Sequence, residues 1–397
     1  MRYKQLIILL IIFASISNLS LAYDFKVDGI CYNITSLSNL TVSVTRQNND
    51  IYASDKYAGD ILIPNQVTFD GRTYRVNSID SYAFYYCSML TSISIPENVT
   101  SIGARAFEGC TGLTKAEFAS LECLCKIDYG YPNASPLDNA HHLYIRGELV
   151  IDLVIPNSVT AIGNGVFANC TDIKSVHIPE SVTSIGSMTF YNCINLTSIT
   201  IPKSVTSMVS GVFSGCTNLT SVTIDANVIS SKRYLSEIFG SQVTEYIFGE
   251  NVTNIGAYSC ANCTSLNSIT IHKNVTSIGN YAFSNCTKIN NISCFATIIP
   301  SSNETVFYYV PISSASLHVP RIALEEYQST EPWSNFGTVA ALTDETLTEI
   351  KTIERDYSEL DNPGLVFDMD GHKLTKMKSG LNIVYGKDGT GKKVLRR

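Results

Sequence analysis

Residues 155–177 read IPNSVTAIGNGVFANCTDIKSVH, residues 178–200 read IPESVTSIGSMTFYNCINLTSIT, and residues 201–223 read IPKSVTSMVSGVFSGCTNLTSVT. The three align without a gap at a period of 23 residues. Carrying that register outward places Ile63, Ile95, Phe118, Ile155, Ile178, Ile201, Ile224, Phe248, Ile271 and Cys294 at one repeat position. The steps are 23 residues except for 32, 37 and 24 where residues are inserted. Self-similarity at a fixed short period marks stacked units, each of which can bury its apolar side only against its neighbours. The expected fold class is a repeat solenoid of nine coils in line.

Within a coil the apolar residues follow L-x-x-I-x-I-P-x-S/N-V-x-x-I-x-x-x-x-F-x-x-C, which is neither a helical period nor a simple alternation. Short β-branched pieces such as residues 91–95 and 197–201 alternate over two or three positions, as brief strands do. Asn, Ser, Pro and Gly stand at the corners, where they turn the chain. About seven side chains per coil should point inward, each worth roughly 1.5–3 kcal/mol when buried. Stacking several coils offsets the cost of ordering the backbone, whereas one coil alone does not.

The Leu-x-x-Ile-x-Ile-Pro opening and Phe-x-x-Cys close resemble the BspA-like leucine-rich repeats of exported surface proteins from host-associated anaerobic bacteria. Residues 23–34, YDFKVDGICYNI, are similar to the N-terminal cap of that family. Beyond Cys294 the period fades into ASLHVP (315–320), a short helix candidate over 321–328, and EPWSNF (331–336), which resembles the family's closing segment. There the single tryptophan, Trp333, is expected to cover the last coil. The resemblance spans most of residues 23–341. It implies a leucine-rich-repeat solenoid, mainly β with short turns, that is curved and binds other macromolecules; some members adhere to host matrix proteins. The organisation read from the chain is a signal peptide (1–22), N-terminal cap (23–61), solenoid (62–297), C-terminal cap (298–342), linker (343–362) and small β tail (363–397).

Arg2 and Lys4 precede an unbroken apolar run over residues 6–14 and a small-residue end at Ser20-Leu21-Ala22, the pattern of a secretory signal cleaved after Ala22. The residue that follows is not a cysteine, which argues against a lipoprotein. No later run approaches the roughly 18–20 apolar residues needed to cross a bilayer. Losing the two basic residues leaves 26 basic against 35 acidic residues, a balance of −9. An acidic surface without Lys/Arg clusters offers little to a phosphate backbone, so nucleic acid is excluded as a partner class.

Twelve cysteines in an exported chain ordinarily point to disulfides. Here Cys87, Cys110, Cys170, Cys193, Cys216, Cys263 and Cys286 each lie three residues after the phenylalanine position, one per coil. Coils about 4.8 Å apart would not forbid a bridge, but stacked side chains run parallel, which favours a column of packed thiols. Cys260 and Cys263 imitate a redox or zinc C-x-x-C, yet they fill the phenylalanine slot and the cysteine column. Cys123 and Cys125 with His141 and His142 form the one local Cys/His cluster, a weak metal-site signal. Cys31 has no assigned partner. Asn98, Asn195, Asn218, Asn251 and Asn274 stand in N-x-S/T triplets that the repeat itself spells.

Near the end, VFDMDGHKL (366–374) imitates a dehalogenase-type phosphatase strand built on Asp368 and Asp370, and GKDGTGKK (386–393) imitates a phosphate loop. Both lack context: 27 residues follow Asp370, His372 stands where Thr or Ser is needed, and Lys393 replaces the Ser/Thr that would hold Mg²⁺. Asp-Gly and Gly-rich turns between short apolar strands read instead as hairpins. The tail resembles the C-terminal sorting domains of type IX secretion substrates. No catalytic residue, cofactor or oligomeric state is assigned. The candidate binding residues are the outward strand positions Ser92, Ser94, Ser175, His177, Ser198, Thr200, Ser221, Thr223, Ser268 and Thr270, a nearly uncharged hydroxyl face. Such small β-compatible residues also serve simply to keep a strand soluble. Read functionally, the face would take protein ligands such as host extracellular matrix or glycoproteins, or glycan.

Overall fold

In the computed structural model, the described residues are 22–50, 56–130, 133–226 and 234–343, together with the backbone of four strands between 365 and 396. The chain divides into two compact units, residues 1–148 and 149–397. The division falls inside the 37-residue repeat that runs from Phe118 to Ile155. The signal segment up to residue 21 and all but the first residue of the linker lie outside the described residues, as do the tail's Asp368, Asp370, His372 and residues 386–390.

In the second unit seven parallel strands pair in chain order: Ser198–Ile201, Ser221–Ile224, Glu245–Phe248, Ser268–Ile271, Asn291–Cys294, Ser316–Val319 and Thr338–Ala341. Ile199, Val222, Tyr246, Ile269, Ile292, Leu317 and Val339 stand opposite one another along this ladder. All but Val339 are buried. The pairing partners are 23 residues apart wherever nothing is inserted, as in Ser198↔Ser221 and Ser268↔Asn291. A second parallel ladder, Ala161–Ile162, Ser184–Ile185 and Ser207–Met208, runs through the turn after the Val position. One repeat thus buries Leu196, Ile199, Ile201, Val205, Met208, Phe213 and Cys216.

Phenylalanine forms a stack through this interior. Phe167, Phe190, Phe213 and Phe239 lie with ring centroids 5.5, 5.2 and 5.2 Å apart and interplanar angles of at most 19°. The turn around each ring explains why Asn and Gly recur in the repeat. The residue two after the ring is left-handed, with φ 58° at Asn192, 59° at Asn285 and 80° at Gly215, a region in which Asn and Gly are the residues at ease. Gly279 has a different task. A Cβ there would sit 2.4 Å from the backbone nitrogen of Ala257 in the preceding repeat. Gly279→Ala is therefore expected to force the two repeats apart and cost about 1–3 kcal/mol, read as a lower urea midpoint.

The first unit opens with an antiparallel meander, Phe25–Val27, Ile30–Ser36 and Thr41–Thr45. Its third strand pairs in parallel with Arg72–Ile79, so the meander supplies the neighbour that the first ladder strand would otherwise lack. A second ladder runs Gly59–Leu62, Leu90–Ile95, Lys115–Phe118 and Leu143–Ile145. The insertions carry helix where the repeat pattern offered none. Leu121–Lys126, N-capped by Ser120, and Leu137–Ala140 lie in the first unit, and Leu235–Phe239 occupies the 24-residue repeat of the second.

At the close of the second unit, Arg321–Ala323 and Leu324–Ser329 form the short helix read from the sequence. Trp333 is fully buried against Phe307, Tyr327 and Phe336, with ring centroids 5.6, 5.5 and 6.5 Å away. The tail is a four-stranded antiparallel sheet. Phe367 pairs with Lys373 across the first motif, and Tyr385 pairs with Gly391 across the second. Both enzyme look-alikes therefore lie between antiparallel partner strands.

Candidate functional site

The structure sets the outward strand residues in two columns on the seven-stranded sheet. One runs Ser198, Ser221, Glu245, Ser268, Asn291, Ser316, Thr338; the other runs Thr200, Thr223, Ile247, Thr270, Ser293, His318, Ala340. Six of the ten expected residues thus share one face. Ser198 and Thr200 are exposed, and Ser221, Thr223, Ser268 and Thr270 are half-buried. Ser175 and His177 lie on a separate strand pair opposite Asp152 and Val154. Ser92 and Ser94 belong to the first unit, opposite Lys115 and Glu117.

The expectation of a nearly uncharged hydroxyl face is corrected by these neighbours. Asp60 accepts hydrogen bonds from Ser92 Oγ and Thr91 Oγ1, both at 2.7 Å, and they hold its carboxyl below the usual aspartate value. Ser175 donates to Asp152, and Ser221 Oγ donates to Glu245 Oε2 at 2.7 Å. Lys115 Nζ pairs with Glu117 at 2.8 Å beside the same strand. Three of the ten candidate side chains are thus already held by carboxylates. The reason is that Asp60, Glu117, Asp152 and Glu245 sit in the irregular repeats, whose strand positions do not follow the Ser/Thr pattern of the regular ones.

The cysteine column is a hydrogen-bonded structural element. All twelve cysteines are free and buried. Cys110, Cys193, Cys216 and Cys286 donate their thiols to the carbonyls of Phe84, Phe167, Phe190 and Cys260 at 3.0, 3.3, 3.0 and 3.0 Å. Each thiol therefore reaches the residue in the phenylalanine slot of the repeat before it, 26 positions back, and Cys260 fills that slot as a substitute ring position. Burial pushes Cys87 up to about 11 and Cys110 and Cys125 up to about 12. Thiols held so high are poor nucleophiles and poor metal ligands. Cys123 and Cys125 are buried on helix Leu121–Lys126, while His141 is exposed at a left-handed helix end with φ 58°. Among the described residues no group of three or more His, Cys, Asp or Glu is placed to hold a metal ion. The sequon asparagines also stitch repeats: Asn195 Nδ2 donates to Thr171 O at 2.7 Å and Asn274 Nδ2 to Glu250 O at 2.8 Å.

A feature that sequence reasoning missed lies in the turns around the phenylalanine slot. Tyr258, Tyr281 and Tyr308, from three successive repeats of the second unit, join ring to ring at 5.1 and 5.7 Å, and Tyr309 adjoins Tyr308 at 4.2 Å. Tyr258, Tyr308 and Tyr309 are exposed. The signal was available as Tyr258 and Tyr281 two residues before the slot and Tyr309 two after it, at positions where other repeats carry Gly, Asn, Arg or Met.

Repeats displaced by a fixed number of residues, joined by parallel ladders and closed over a Phe and Cys interior, define a leucine-rich-repeat protein. The chain belongs to the BspA type leucine rich repeat family, whose repeat region matches residues 77–129, 146–239 and 235–328 in six copies. Among solved structures it is similar to a leucine rich cell surface protein of Faecalibacterium prausnitzii, at 22% identity over 82% of this chain and 96% of that one, with a TM-score of 0.40. A leucine-rich repeat protein of Bacteroides ovatus matches at 22% identity over 81% and 77% of the two chains, TM-score 0.40. The pneumococcal vaccine antigen PcpA matches at 15% identity over 81% and 99%, TM-score 0.33. No curated protein matches the chain. Among the described residues no helix is long and apolar enough to cross a membrane. Membership in this family is consistent with a protein-binding role.

Proposed function

We propose that this chain is an exported, non-enzymatic adhesion or protein-binding molecule of the cell surface. In this reading residues 1–22 are a signal peptide and residues 23–61 and 298–342 cap a solenoid of 23-residue coils. The 363–397 tail acts as a sorting domain. The ligand is a host macromolecule, a matrix protein or glycoprotein, received on the strand face of the second unit through Ser198, Thr200, Ser221, Thr223, Ser268 and Thr270, with Ser175 and His177 as further contacts, while Ser92 and Ser94 offer a surface of the first unit by itself. The observation that carries the reading is the seven-stranded parallel ladder. It sets Ser198, Thr200, Ser221, Thr223, Ser268 and Thr270 on one sheet face, in two columns interrupted by Glu245 and Ile247, the kind of broad surface on which repeat proteins take partners.

Surface plasmon resonance of the chain without residues 1–22 against a panel of matrix proteins and mucin glycans tests it. Binding to a panel protein is expected. Thr223→Glu combined with Thr270→Arg should weaken that binding about tenfold or more, since mismatched charge at a contact opposes association. Circular dichroism should stay unchanged, because both residues point away from the core. Binding confined to glycans would move the ligand class to carbohydrate, and silence across the panel would sink the proposal.

A further inference from the structure

Around the phenylalanine slot the second unit carries tyrosine where the backbone suits it least. Tyr258, Tyr281 and Tyr309 have φ of 61°, 57° and 57°, in the left-handed region where a bulky residue is an outlier. Other repeats place Gly165, Gly211, Arg105 and Met188, or Asn169 and Asn192, at the corresponding positions, all with positive φ. The rings do not join the core in return: Tyr258 is 45% exposed, Tyr308 48% and Tyr309 72%. With half-buried Tyr281 between them, they form an aromatic row across three repeats. The turn imposes the left-handed backbone whatever residue stands there, so it is the exposure of neighbouring rings that points to a task outside folding.

The chain itself shows what such rings take up. In the first unit the same turn, around Phe84, carries Tyr82, Tyr85 and Tyr86, and Lys56 Nζ, which donates to Tyr85 O at 2.7 Å, stands 5.7 and 5.9 Å from the ring centroids of Tyr85 and Tyr86. Lys115 Nζ stands 4.9 Å from the ring of Tyr144. Among the described residues no lysine or arginine stands over the row of the second unit. The exposed carboxylate of Glu304 lies in the same turn as Tyr308, four residues before it. Aromatic faces beside a carboxylate attract ammonium and guanidinium groups, and the chain as a whole carries −7.

We propose that Tyr258, Tyr281, Tyr308 and Tyr309, with Glu304, bind the cationic side chains of an extended, Lys/Arg-rich polypeptide segment. Successive rings lie 5.1 and 5.7 Å apart, so neighbouring basic side chains of one segment are engaged together. This site uses the turns of the repeat and not its strand face, so it stands or falls separately from the ligand proposed above.

The test is fluorescence anisotropy of the intact chain with a labelled peptide of alternating lysine and glycine, alongside its Nζ-acetylated twin. Saturable binding of the first is expected, with the acetylated twin about tenfold weaker or worse, as loss of the cation removes the ring attraction. Tyr281→Phe keeps the ring face and should bind within about threefold of the parent, whereas Tyr281→Leu and Tyr308→Leu should lose about tenfold. Tyr281→Gly suits the left-handed backbone, so it should fold as well as the parent and still bind weakly. Thr223→Glu, on the strand face, should leave peptide binding unchanged. Absence of binding, equal binding of the acetylated twin, or leucine and glycine variants that bind like the parent would each overturn the proposal.

Discussion

Raising the pH above about 9 should unfold this protein over a narrow range, with thiolate absorbance and loss of circular dichroism appearing together. The interior holds thiols whose folded values lie above their unfolded one: about 11 for Cys87 and about 12 for Cys110 and Cys125, all through burial. Burial likewise drives Cys260 and Cys294 upward in the second unit. Below the unfolded thiol value both states keep their protons, and the stability contributed by these groups is complete. Above it the unfolded chain releases protons that the folded chain retains. Each such group then lowers stability by up to about 1.4 kcal/mol per pH unit until its folded value is reached. Three such groups over two pH units amount to about 8 kcal/mol, comparable with the roughly 5–15 kcal/mol that a domain has in hand. Cys110→Ala should shift the alkaline midpoint upward. Thiolate appearing while the circular dichroism is intact would show that the column is open to solvent.

Phe213→Ala should cost about 3–5 kcal/mol from the lost side chain and its cavity, with about 0.5–1.5 kcal/mol more for each ring contact removed. The ring is fully buried and stacks at 5.2 Å on Phe190 on one side and at 5.2 Å on Phe239 on the other. Because repeats are stabilised by their immediate neighbours, the damage should stay local. Hydrogen exchange should accelerate first in the strands Ser198–Ile201 and Ser221–Ile224 and in helix Leu235–Phe239, with the final strands affected later. A urea-measured loss below about 1 kcal/mol would mean that the phenylalanine stack is not what couples the repeats.

Much of this was legible from the chain because a repeat states its own register. Ile199, Ile201, Val205, Phe213 and Cys216 could be placed inside from their recurrence alone, and all are buried. Cys260 could be read as a substitute phenylalanine because the count of residues demanded it. The tail's Asp-Gly and Gly-rich stretches could be read as turns between strands, and antiparallel strands flank both. The irregular repeats were not legible in the same way. Helix Leu121–Lys126 occupies an insertion that has no second copy to align with, and helix Leu235–Phe239 replaces the turn that leads into the phenylalanine slot in the regular repeats. The carboxylates of Asp60, Asp152 and Glu245 were invisible as members of the face for the same reason: a consensus hides the residues that depart from it.

The period of 23, with its Leu, Ile, Phe and Cys spacing, was enough by itself to determine a stacked leucine-rich-repeat interior, since recurrence and burial are properties of one chain position at a time. What lies beside what across neighbouring repeats was decided only by the tertiary structure. Thiol to carbonyl at 3.0 Å, Ser221 to Glu245 at 2.7 Å, and the tyrosine row at 5.1 and 5.7 Å join residues 23 to 27 positions apart. Such contacts depend on the handedness of each turn and the length of each insertion, which set distance and direction in space but leave no periodic trace in the sequence.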